Sequence, residues 1–162
     1  MTTTTHGAFF IERRYDVSPQ RVFAAWRDPK AKRAWFAEGE GWDIRSYELD
    51  FREGGRETCR FRFLKGVEMF GAETFFSNET VFQEIIPDER IIFTYSMSRN
   101  NARLSVSLAT VEFKVDGAGA RLLYTEHAAF FEGADGAKMR EQGWNELLNK
   151  LAEHLKAQET RP

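Results

Sequence analysis

The stretch GAKMREQGWNELLNKLAEHLKA, residues 136–157, decides the fold. Met139, Trp144, Leu147, Leu148, Leu151 and Leu155 follow the i, i+3/i+4, i+7 spacing that predicts one buried face on a single α-helix. At ~1.5 Å per residue this helix spans roughly 30 Å, about the length of a ten-residue strand, so it can lie along a whole sheet. Its stripe needs a partner surface, and the preceding segments supply one. Phe61 and Phe63, then Ile91, Phe93, Tyr95 and Met97, fall at alternate positions, which predicts strands with one dry and one wet face. Because both surfaces carry large rings, the space between them is either a bulky core or a cavity lined for an apolar guest.

Working outward from the helix, the pattern keeps a period of two back to Trp42. Strands are expected near 42–52, 56–65, 73–85, 89–98, 104–115 and 120–129. Gly54-Gly55, Pro87-Asp88, Asn100-Asn101 and Asp116-Gly117 punctuate them, and connections this short imply antiparallel neighbours. Toward the N-terminus, Phe9, Ile11, Tyr15 and Val17 mark a first strand with Arg13 as the odd member of its apolar face. Ser18-Pro19 and Asp28-Pro29 each read as an N-cap followed by proline at the first helical position. They open two short helices, one carrying Val22, Phe23 and Trp26, the other Trp35 and Phe36 and ending at Gly39 and Gly41. The expected class is α+β: a curved antiparallel seven-stranded sheet wrapped around a long C-terminal helix, the helix-grip arrangement. Residues 1–7 read as a disordered N-terminal tail, 8–157 as one domain and 158–162 as a frayed C-terminus.

Bulk properties narrow the function classes. A chain of 162 residues suits one domain that buries roughly 70% of its unfolded surface. A net charge of −2 supplies no long-range field for nucleic acid or an anionic membrane. The longest purely apolar run, Val22 to Trp26, is far short of the ~20 residues that cross a bilayer, and Met1 to Gly7 lacks the regions of a secretory signal. Cys59 alone forms no internal disulfide, which fits a cytoplasmic location. His6, His127 and His154 share no metal-ligand spacing, and Gly39 and Gly41 begin a dinucleotide fingerprint that Ile44 ends, so no metal or cofactor is expected. In Arg60-Phe61-Arg62-Phe63 the alternation sends cations and rings to opposite faces, which removes the stacking platform a nucleic acid would need.

The run Val22-Phe23-Ala24-Ala25-Trp26 through Asp28-Pro29 to Trp35-Phe36 carries a resemblance, together with the stretch from Glu84 through Pro87-Asp88 to Thr94 and Gln142-Gly143-Trp144 with Leu148 and Leu151. In these segments the chain resembles bacterial homologues of the Hsp90 ATPase activator C-terminal domain, members of the START-like, Bet v 1-like superfamily. The resemblance covers about Phe9 to Leu155. It implies a helix-grip fold with a hydrophobic cavity and does not select one activity.

The expected ligand-facing residues are the rings Trp26, Trp35, Phe36, Phe61, Phe63, Phe75, Phe93, Tyr95, Phe113, Tyr124 and Trp144, with Leu148. Arg13 and Glu126 join them because alternation places each among apolar neighbours, where a charged group must be paired or hydrated. The bland alternative puts both at strand ends, beyond the buried face. Cys59, on the dry face with Phe61 and Phe63, is expected as a small apolar group with a raised pKa. The leading functional reading is non-enzymatic binding of a small hydrophobic or amphipathic molecule between sheet and helix. The alternatives are a cochaperone-like module acting on an Hsp90-type ATPase, which the resemblance alone implies, and a cavity enzyme of cyclase or hydrolase type in which Glu126 or His127 moves a proton. An exposed sheet edge makes a homodimer a further expectation.

Overall fold

The computed structural model describes residues 2–64 and 74–159. Strand β1 (Thr5–Tyr15) leads through helix α1 (Pro19–Arg27) to the short helix α2 (Pro29–Lys32), which runs on into a π-helical turn, Arg33–Ala37. Then come β2 (Trp42–Leu49), β3 (Arg56–Phe63), β4 (Phe76–Ile86), β5 (Arg90–Arg99), β6 (Ala102–Asp116), β7 (Gly119–Phe130) and the long helix α3 (Ala137–Glu159). The seven strands form one sheet in the order β1-β7-β6-β5-β4-β3-β2, every neighbouring pair antiparallel. The β1-to-β2 connection leaves the sheet, and α1, α2 and the π-helical turn occupy it. The helix-grip expectation holds.

Local chemistry sets the boundaries. The Ser18 hydroxyl accepts from the backbone N–H of Arg21 at 3.3 Å and Asp28 Oδ2 from that of Ala31 at 3.1 Å, each with proline at the first helical position. Asp88, Asn100, Asn101, Gly54 and Gly117 adopt positive φ at the turns where the sequence placed them. Strand β1 begins earlier than expected, since Thr5, His6 and Gly7 pair with Phe130, Ala129 and Ala128. Register supplied by β7 orders a segment with no apolar alternation of its own, and Gly7 fits there because a Cβ would lie 2.5 Å from that of Ala137. The expected strand ends at Lys65 and Glu73, and residues 160–162 of the expected frayed end, lie outside the described residues. Among the described residues, no helix is long and apolar enough to cross a membrane.

The solid part of the core lies under α1 and the middle of α3. Trp26 stacks on Trp144 with planes 4° apart and meets Trp35 edge to face at 4.9 Å. Trp144, Leu148, Leu151 and Leu155 of α3 are buried against them. Met139, expected on this face, is 64% exposed, and Arg140 holds the position instead. Four residues before Leu148 is Trp144 and four before that is Arg140, so a face chosen by hydropathy alone slips by one residue at the helix start.

Candidate functional site

Toward the other half of the sheet the packing opens. A cavity of ≈ 890 Å³ lies between α3, the π-helical turn and the inner faces of β2 to β5. Its walls combine Phe36, Phe61, Phe63, Phe93, Tyr95, Met97, Trp144 and Leu147 with a few polar groups. Helix α3 forms the rim, where Met139, Gln142, Gly143 and Glu146 are exposed. Gly143 faces open space: a Cβ there meets nothing within 4 Å.

Six of the expected ligand-facing residues come together on this wall: Phe36, Phe61, Phe63, Phe93, Tyr95 and Trp144. Trp26, Trp35, Phe113, Tyr124, Leu148 and Glu126 sit behind it in the solid core, and none lines the cavity. Arg13 turns inward as its parity implied, yet it reaches α3, where its guanidinium donates to Asn145 Oδ1 at 2.8 Å and Asn149 Oδ1 at 2.6 Å. Phe75 precedes β4 and sits 4.9 Å from the Arg45 guanidinium, while Phe76 is the inward ring, packed on Phe61 and Phe63. The sequence offers adjacent phenylalanines, and the register of β4 chooses between them. His127 is exposed between Ala8 and Leu108 on the outer face of the sheet.

Glu126 overturns the strand-end reading. It is fully buried, and its carboxyl accepts from Tyr95 at 2.7 and 2.8 Å, Tyr124 at 2.7 Å and Ser107 at 2.8 Å. The Tyr95 oxygen in turn accepts from Arg140 at 3.0 Å and the Trp144 indole at 3.3 Å. Arg140 also grips Asp135 through two bonds of 2.8 Å and Ser105 at 2.9 Å, and its Nη1 lies 3.5 Å from Glu126. Burial, then the Glu126 charge, pushes the Tyr95 phenol well above its usual pKa, and burial does the same for Tyr124. Burial alone would lower the guanidinium of Arg140, but Tyr95, Asp135 and Glu126 outweigh it and raise the value.

A second polar pole stands across the cavity. Lys32 Nζ donates to both oxygens of Glu57 at 2.9 and 3.0 Å, with both side chains 3% exposed, and Tyr47 donates to Glu57 at 2.5 Å. Three rings surround this ammonium, their centroids 4.3 Å (Phe36), 5.0 Å (Trp26) and 5.5 Å (Trp35) away. Sequence reasoning passed over Lys32, Glu57 and Arg140. Alternation did carry a signal for Glu57, which shares the dry face with Cys59 and Phe61, just as helical spacing did for Arg140.

Cys59 sits beside this pole, and burial, then Glu57, raises its thiol from 9.0 to about 11. An acid whose pKa rises on folding keeps its proton in the folded state after the unfolded chain has lost it, so stability falls as pH climbs. Between about pH 9 and 11 the thiol should remove up to ~1.4 kcal/mol per pH unit. Urea midpoints measured across that window should fall less steeply in Cys59→Ala than in the parent. Equal slopes would refute the assignment. Among the described residues, no cluster of three or more His, Cys, Asp or Glu is placed to hold a metal.

The chain is similar to proteins of known structure over nearly its whole length. An uncharacterized protein from Rhizobium leguminosarum is 32% identical, with 97% of this chain and 99% of that one covered at a TM-score of 0.88. The Mll3558 protein from Rhizobium loti is 41% identical, with 94% and 99% covered at a TM-score of 0.82. The AHSA1-like protein from Aeromonas hydrophila, 18% identical, shares the fold over 96% of both chains at a TM-score of 0.66. No curated protein matches. Residues 16–156 match the family described as Activator of Hsp90 ATPase homolog 1-like protein, and that span takes in the helix connection, β2 to β7 and nearly all of α3. With the helix-grip fold and this match together, the chain belongs to the Activator of Hsp90 ATPase homolog 1-like family.

Proposed function

We propose that this protein binds a small hydrophobic or amphipathic molecule, without converting it, in the cavity between β2 to β5 and α3. One observation carries the reading: the sheet's rings Phe61, Phe63, Phe93 and Tyr95 face Trp144 and Leu147 of the helix across ≈ 890 Å³ instead of interlocking. That volume falls within the ~300–1,000 Å³ typical of small-molecule sites. The buried network behind the wall supports binding over catalysis. Glu126 receives three hydroxyls, and the Tyr95 oxygen accepts two donors while giving its own proton to Glu126, so neither has a free position for proton exchange with a guest.

A thermal-shift screen of lipids, flavonoids and polyketides tests this. At about 100 times its Kd a ligand adds ~2.7 kcal/mol, which raises Tm by roughly 5–11 °C for a domain of this size. Gly143→Leu places a side chain into the open rim, so it should abolish the shift while leaving the unliganded protein folded, with helix propensity improved by up to ~1 kcal/mol. No shift with any class, or an undiminished shift in that variant, would overturn the reading. The family description supports a second reading, a module that modulates an Hsp90-type ATPase. A pull-down with the host's Hsp90 homologue separates the two, because the carrier reading expects no capture.

A further inference from the structure

Building on the cavity as a binding site, we propose that its guest is a cationic amphipath, an apolar body bearing a protonated amine, and that carboxylate-bearing lipids are rejected. Two of the three cations on the wall are already held in ion pairs. Lys32 is held by both oxygens of Glu57, and Arg140 by both oxygens of Asp135 with Tyr95 and Ser105. The Lys150 ammonium donates to the Glu38 carbonyl and lies 4.7 Å from the Trp42 ring. A carboxylate entering the cavity would be desolvated with only Lys150 to receive it, an ammonium on which Glu38 and Glu153 already act.

The remaining wall groups favour the opposite charge. Glu40, Glu146 and Glu153 line the cavity, are exposed, and have no ion pair among the described residues. Each acts weakly through solvent, but their like sign beside a low-dielectric cleft attracts a cation and repels an anion. The rings of Phe61 and Phe63 line the wall, and aromatic rings attract an ammonium while offering a carboxylate nothing comparable.

Calorimetry with decylamine, decanol and decanoate, each below its micelle threshold, tests the charge preference at constant chain length. Decylamine should bind tightest, by about ten-fold or more over decanoate, with decanol between, and the gap should narrow at about 0.5 M salt. In Glu40→Gln/Glu146→Gln/Glu153→Gln the amine should lose its lead over the alcohol while alcohol affinity stays put. Decanoate or decanol binding as tightly as decylamine would overturn the proposal and leave the cavity reading standing, as would an unchanged amine preference in the triple variant. If none of the three binds, both fall.

Discussion

Lys32→Met alone should destabilise the protein by about 3–5 kcal/mol, because it leaves Glu57 buried with its ionic partner gone and takes the ammonium away from three rings. Over a chain of this length that corresponds to a fall in Tm of roughly 6–20 °C. The paired change Lys32→Met/Glu57→Leu, with Tyr47→Phe to remove the hydroxyl that donates to Glu57, should recover most of the loss, since two apolar side chains suit the site as well as a buried ion pair. Denaturant midpoints of the parent, single and triple variants decide the matter. A triple variant as unstable as the single one would mean that Lys32 contributes packing through its stem, with little owed to charge.

Arg140→Met is expected to cost a similar ~3–5 kcal/mol for a different reason. Tyr95 and Ser105 would lose a donor, and the buried Glu126 would lose its nearest cation. The exposed Arg90, paired with Glu84 at 39% and 41% side-chain exposure, provides the comparison. Arg90→Met should change stability by no more than ~1 kcal/mol. Similar losses at the two positions would show that burial is not what makes Arg140 matter.

These two poles mark where the sequence stops being readable. Element order followed from periodicity, because the strands alternate and the last helix repeats over several turns, and the prolines at 19 and 29 placed the first helices correctly. One-residue errors appeared where neighbouring residues were equally apolar or where the buried residue was charged, as at Phe75 against Phe76 and Met139 against Arg140. Glu126 had the right parity, but apart from Tyr124 its partners come from β5, β6 and α3, so the local sequence did not show that its burial was satisfied. The same holds for Lys32 and Glu57, which only the fold brings together. The hollow is hardest to read of all, for an aromatic alternation that fills a core and one that lines a cavity have the same period.

The placement of Trp144 has a practical corollary. Its indole forms part of the cavity wall and also lies flat on Trp26 inside the core, with Trp42 a second indole on the wall. Any guest that displaces water from those surfaces alters the polarity around two of the four tryptophans, so the unlabelled protein reports its own occupancy through a change in emission wavelength.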